Sequence, residues 1–207
     1  MLIKHLPEQE EMYVAHNTWH EYTAMSYKML KKYSLPYRRL ANNEERVAGE
    51  TATMSSYVGT IFSLDDFMIL SSGLATTETS LFVYNSSLFE ASQPIGQVFE
   101  PARVMAANRL ARDGREWTEI ASKFNSGTYN NQWMVVDMGK VTEGKLDDGA
   151  LWVMEQLPGR NTRDKIFKHT QPRDLHIQFI FQDMVRGSNI SVALLWLLGF
   201  LQQSFLS

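Results

Sequence analysis

The chain has 207 residues, 44% hydrophobic, 21% charged and 12% aromatic, the mixture of a globular domain with a core rather than of a disordered segment. Basic and acidic side chains nearly cancel, leaving a formal charge of −3; that argues against a dedicated nucleic-acid binder, which concentrates a basic surplus on one face. Cysteine is absent, so disulfides, thiolate metal sites and a cysteine nucleophile are excluded within these residues.

In chain order, residues 1–6 and 11–16 read as two strands joined by the polar turn Pro7-Glu8-Gln9-Glu10. Thr18 reads as an N-cap, because Glu21 stands three residues later in the capping-box position. Tyr22, Met25, Met29 and Tyr33 then recur at helical spacing, with Lys28, Lys31 and Lys32 toward the end of the dipole and Pro36 as the stop. The charged stretch from Asn42 to Glu50 reads as a surface loop. Strands are expected over 66–70 and 75–84 around Ser71-Ser72-Gly73, and a helix from Pro101 to about Arg112, broken by Asp113-Gly114. A second helix, about Arg115 to Lys123, puts Trp117, Ile120 and Phe124 on one face. Residues 125–131 form a polar loop, and strands follow over 133–137 and 151–155, turned by Asp147-Asp148-Gly149. Strands, helices and strands again imply an α+β architecture.

At the ends, Met1-Leu2-Ile3-Lys4-His5-Leu6-Pro7 shows no apolar h-region, so no signal peptide is expected. Val192 to Leu201 is an uninterrupted apolar run of ten residues. A transmembrane helix needs roughly 20, so this run reads as a buried or artefactual tail rather than a membrane anchor.

P-loop, G-x-S-x-G and H-E-x-x-H patterns are absent. His16 and His20, with Glu21 beside them, have the i,i+4 spacing of a zinc pair. The cap at Thr18 separates them, however, and no metal or other cofactor is expected. The segment Phe124-Asn-Ser-Gly-Thr-Tyr-Asn-Asn-Gln-Trp133 crowds amide donors and acceptors into one loop. Such a loop can build an oxyanion hole or simply bond to itself as an Asx-type connection.

Several motifs occur in one order: His16-Asn-Thr-Trp19, Gly59-Thr-Ile-Phe-Ser-Leu-Asp-Asp-Phe67, Ser72-Gly-Leu74 with Glu78-Thr79, and Ala107-Asn-Arg-Leu110. Asn125-Ser-Gly-Thr-Tyr-Asn-Asn-Gln-Trp133 and Glu155-Gln-Leu-Pro-Gly159 complete the set. Together they closely resemble the phospholipase B-like family of lysosomal and secreted hydrolases, over about residues 2–159. The resemblance implies an N-terminal nucleophile hydrolase with an αββα sandwich, here incomplete. In that family, autocatalytic cleavage leaves a cysteine at the start of a strand; its own α-amino group serves as base and its thiol attacks an acyl carbonyl. The implied reaction is deacylation of glycerophospholipids or cleavage of a related ester or amide.

Penicillin V acylases and bile-salt hydrolases, in the wider superfamily, carry an Arg-Asn-x-Asp signature after the first hairpin. By that resemblance His16 borders the nucleophile, Trp19 walls the pocket, and Asn125 matches the asparagine of the oxyanion hole. The family reads Cys-Ser-Ala-Leu-Val/Ile-Lys at the start of the first strand, whose end matches Leu2-Ile3-Lys4. Met1 thus falls two places after the expected cysteine, and the chain is expected to be inactive as written. A non-catalytic binding or regulatory module is the alternative, as is a truncated gene model. A lipid or acyl substrate and association with the missing half of the fold are the implied partners, and a lysosomal or extracellular location is implied for the parent family. Asn85 and Asn189 begin glycosylation sequons. Residues 1–159 are expected to form the partial hydrolase domain, and 160–207 a separate helical or disordered tail.

Overall fold

A computed structural model describes residues 1–9, 11–18, 20–142, 145–166 and 176–178. The chain opens with a hairpin of β1 (Leu2–Leu6) and β2 (Glu11–Ala15). One helical turn, α1 (Tyr22–Met25), leads into β3 (Lys28–Ser34), followed by β4 (Thr51–Tyr57), β5 (Phe67–Leu70) and β6 (Leu74–Ser80). Helices α2 (Glu100–Leu110) and α3 (Gly114–Ala121) precede β7 (Asn131–Asp137), the small ribbon β8 (Val141–Thr142) and β9 (Lys145–Leu146), and the hairpin of β10 (Leu151–Leu157) and β11 (Arg160–Ile166). A last strand, β12 (His176–Gln178), pairs with β1. The fold is α+β.

Two sheets pack face to face. The larger has seven antiparallel strands in the order β11-β10-β7-β6-β5-β4-β3, and the smaller has three in the order β12-β1-β2. Because side chains alternate along a strand, each strand of the large sheet serves two cores. Trp133 and Val135 of β7 pack under α2 and α3 with Met54, Leu74, Val104 and Trp117. Met134 and Val136 point the other way, against Ile3, Met12 and Val14 of the small sheet. This burial on both faces explains why β7 is apolar at successive positions rather than alternating. Three layers result, helices on sheet on sheet. Among the described residues no helix is long and apolar enough to cross a membrane, and the apolar run 192–201 lies outside those residues.

The helices are held by local chemistry and by distant chain. Pro101 occupies the first turn of α2, where its missing N–H has no intrahelical partner to lose. Asp113 caps α3, its Oδ1 accepting from the Glu116 N–H at 2.7 Å. At the C-terminal end of α2, Arg39 Nη1 donates to the Leu110 carbonyl and the Gly49 N–H to the Arg109 carbonyl. Segment 38–50 therefore closes a helix end that would otherwise leave carbonyls unpaired. Between the helices, the indole Nε1 of fully buried Trp117 donates to Asn108 Oδ1 at 2.7 Å, which satisfies two polar groups that would otherwise be buried alone.

Several expectations need correction. The helix expected from Thr18 toward Pro36 is only the turn α1, and its second half is β3, paired with β4 over seven residues from Lys28↔Tyr57 to Ser34↔Thr51. Tyr22 is 89% exposed, so the helical stripe of Tyr and Met had no core to face. Thr18 does not cap a helix; its hydroxyl donates to the Asp65 carbonyl at 2.8 Å. β4 went unread because Thr51-Ala-Thr-Met-Ser-Ser-Tyr57 lacks a bulky apolar run, although Ala52, Met54 and Ser56 alternate inward. The strand expected at 66 starts at Phe67, because Asp66 has a φ of 54°. Beyond residue 159 the sheet continues: β11 pairs with β10 from Leu151↔Ile166 to Leu157↔Arg160. The expected domain break at 159 therefore falls at the turn of a hairpin. Most of the tail, with its expected helical or disordered character, lies outside the described residues.

Candidate functional site

At one end of the molecule the hairpin opens between the two sheets. The register Leu2↔Ala15 places Met1 and His16 side by side just beyond the last paired residues. Met1 is half-buried, and its sulfur accepts from the Thr77 hydroxyl at 2.7 Å. Burial lowers the proton affinity of its α-amino group below the ordinary terminal value. His16 is pushed down to about 4, first by burial and then by the Met1 ammonium and Lys28, with Asp65 acting in the opposite sense. At neutral pH the imidazole is therefore neutral.

Asp65 organises the wall opposite. Its carboxylate accepts from Tyr57 Oη at 2.6 Å and from Ser55 Oγ, and pairs with Lys28 Nζ at 3.0 Å. Burial opposes its charge, but the Ser55, Tyr57 and Lys28 contacts outweigh that and hold its carboxyl below the usual range. The same hydrogen bond, with burial, pushes Tyr57 up to about 12. The main chain of Asp65 accepts from Thr18, so the turn carrying His16 is tied to the loop between β4 and β5.

The next residue, Asp66, belongs to the other face. There its carboxyl meets Glu78 of β6 and the Tyr129 hydroxyl. The Glu78 partner in β7 is Trp133, which packs under the helices, so Glu78 shares the helix face. Glu100 of α2 completes a buried acidic cluster, faced by Asn131 and Trp133. With its amide oriented to suit its neighbours, Asn131 donates to Glu78 Oε2 at 3.1 Å and to the Asn130 carbonyl at 2.9 Å. Burial drives Glu78 up to about 10 and Glu100 up to about 8. A small cleft beside the cluster is lined by Met68, Val104 and Trp133, with Asp66, Glu100 and Tyr129 as its polar wall.

The expected site residues have the following places on this frame. His16 stands in the inter-sheet opening beside Met1. Asn125 sits after α3, where its amide donates to the Leu157 carbonyl at 2.8 Å and its Oδ1 accepts from the Gly127 N–H. Leu157 ends β10, two strands from β6, whose Thr77 contacts Met1 beside His16. Asn131 of the same loop, fully buried against Glu78, is the amide the sequence reading passed over. Trp19 lies outside the described residues, as does Asn189. Asn85 is exposed, its Oδ1 accepting from the N–H and hydroxyl of Ser87. Lys28, Tyr57 and Asp65 were also missed; the pair Asp65-Asp66 between apolar strands was their one legible signal.

The profile of the Phospholipase B family matches residues 1–171. Phospholipase B-like 2 of Bos taurus is 49% identical over 161 residues, covering 76% of this chain and 27% of its own length. Phospholipase B-like 1 of Rattus norvegicus is 43% identical over 158 residues, at 76% and 28% coverage, and phospholipase B-like protein C of Dictyostelium discoideum 40% identical over 161 residues, at 76% and 27%. The chain spans about a quarter of the length of the curated relatives it matches. It belongs to the phospholipase B family.

Proposed function

We propose that this chain carries the acyl-hydrolase scaffold of its family, part of an αββα N-terminal nucleophile sandwich acting on a glycerophospholipid or a related ester or amide. The observation that carries the reading is the match of the family profile to residues 1–171, together with half-buried His16 at the open end of the first hairpin between two stacked sheets. In an N-terminal nucleophile reaction the α-amino group of the nucleophile's own residue takes its proton and returns it to the leaving group, so that residue would stand just ahead of β1, beside His16. Lys28, Tyr57 and Asp65 would fix the geometry, and donors of the loop 125–131 are candidates for the acyl oxyanion.

Met1 itself offers no nucleophile. A thioether has no proton to give up, and the 207 residues contain no cysteine. That observation favours a second reading for the chain as written: a non-catalytic module that binds an acyl substrate or the remainder of a family fold. A lysosomal or extracellular setting belongs with the parent family in either reading.

One experiment separates the two. Cys-Ser is placed ahead of Met1 behind a cleavable leader, so that processing exposes an N-terminal cysteine, and both proteins are offered a chromogenic acyl ester. The extended protein should form a covalent acyl adduct on that cysteine, and His16→Ala should slow its formation by about 10²–10⁴-fold. The original chain should form none. Turnover by the original chain, or a folded extended protein that never acylates, refutes the scaffold reading.

A further inference from the structure

The acidic cluster on the helix face contains a contact that needs a proton. Asp66 and Glu78 bring two buried carboxyls to one tyrosine hydroxyl, and as two ionised carboxylates they would present acceptors only. Tyr129 Oη lies 3.1 Å from Asp66 Oδ2 and 3.0 Å from Glu78 Oε1. It has a single proton to donate, so it cannot satisfy both carboxylates and also bridge them. Asn131 reaches only the far oxygen, Glu78 Oε2. Glu78 and Asp66 are 3% and 8% exposed, which leaves little room for water to stand in.

The backbone around this contact is unusual in a matching way. Asp66 and Tyr129 both occupy the left-handed region, with φ of 54° and 53°. Non-glycine residues reach that region at a cost and stay there only when surrounding contacts over-determine them. The contacts in question are the ones just described, together with the Glu78 N–H on the Asp66 carbonyl and the Leu81 N–H on the Asn130 carbonyl. Strain at both ends of one side-chain bridge marks it as the tie that holds loop 125–130 to the sheet.

We propose that Asp66, Glu78 and Tyr129 form a proton-dependent clasp, in which a proton shared between the two carboxyls closes loop 125–130 onto the end of the large sheet and its loss on raising the pH releases that loop. Burial and like charge around the pair favour the proton, while the Tyr129 hydroxyl, which faces both carboxyls, favours their charged forms and works against it. Asp65 adds negative charge from the adjoining turn, and Glu100 of α2 adds it once it ionises above about pH 8. Arg103, one turn along from Glu100, directs its guanidinium to the carbonyls of Val98 and Ala121 and toward Asn125. Losing the shared proton therefore puts like charges together in a buried site, and expelling Tyr129 with its loop is the available relief. Asn131 and Trp133, on β7 beneath, stay with the sheet.

The test reads folding and exchange rather than turnover, so it stands apart from the catalytic reading. Equilibrium unfolding of the full chain is measured between pH 5 and 8.5 for the wild type and for Glu78→Gln, whose amide can still donate to Asp66. His5, His16 and the Met1 amine also titrate, but the difference between the two proteins cancels them. The wild-type unfolding constant should rise with pH more steeply than that of the variant by about one proton, close to tenfold per pH unit. In parallel, amide exchange of residues 125–130, corrected for its intrinsic pH dependence, should accelerate above neutrality in the wild type. Tyr129→Phe, which leaves both carboxyls, should show fast exchange already at pH 5. Equal slopes in wild type and Glu78→Gln, or loop protection that does not change with pH, would overturn the clasp.

Discussion

His16 shows how far one residue's behaviour departs from its type. A solvated histidine titrates near 6.5, and here the imidazole is held down to about 4 by burial and by the Met1 ammonium. Nuclear magnetic resonance titration of the folded chain should find this midpoint. Asp65→Asn should lower it further, because Asp65 favours the charged form. The consequence for stability has a definite sign. Between the folded and unfolded values the unfolded chain binds the extra proton, so this residue's contribution is lost as pH falls from about 6.5 toward 4. Glu78 and Glu100 act oppositely, because their raised values make the folded state the better proton acceptor and remove stability as pH rises. A midpoint for His16 near that of a free imidazole would remove it from the inter-sheet opening.

At the scale of elements, local signals succeeded where they were backed by packing. Asp113-Gly114 was legible as the break between two helices, the second expected from about Arg115; α3 begins at Gly114, with Asp113 as its direct side-chain cap. Asp113→Ala should cost about 1 kcal/mol of stability, measured by denaturant unfolding; a loss near zero would mean that packing of Trp117 alone sets the helix boundary. The segment Thr18-x-x-Glu21 carried a comparable cap signal, yet the structure places a seven-residue strand across most of the expected helix. Helix propensity differs among ordinary residues by less than about 0.7 kcal/mol each. A full ladder with β4, and Tyr33 packed against the helix-face core, outweighs such preferences. Nothing in Lys28-Met-Leu-Lys-Lys-Tyr-Ser34 alone announces β4 as its partner.

For the whole molecule, the edge strands decide what can be removed. β11 covers the edge of β10, pairing over seven residues, and β10 carries fully buried Leu151 and Met154. A chain ended at residue 159 should expose that edge and self-associate, because unpaired strand edges template further pairing. A chain ended after β11 should show the smaller effect of losing the three β12 residues that pair with β1. Sedimentation of the two truncated proteins checks this, and a monodisperse, cooperatively folding 1–159 would show that β11 is dispensable.

The sequence by itself determined the family, the α+β class, the first hairpin, both helices and the strands around Phe67, Ala75, Trp133 and Leu151. These rest on short-range information: apolar alternation, caps, turn residues and a long amide-rich motif. Residue identity also settled that no thiol is present, since a missing atom needs no fold to be missing. Only the tertiary structure decided that Lys28 to Ser34 is a strand, that Thr51 to Tyr57 lies inside the large sheet, and that Arg160 to Ile166 continues it. It also decided that Asp65 and Asp66, adjacent in sequence, serve opposite faces of that sheet. Strand pairing and burial join residues far apart in the chain, and a proton affinity is set by whatever surrounds a group in space. Glu78 illustrates the division: its motif was legible from its neighbours in sequence, while its raised proton affinity comes from burial, Asp66 and Glu100, against the Tyr129 hydrogen bond, all brought to it by distant segments of the chain.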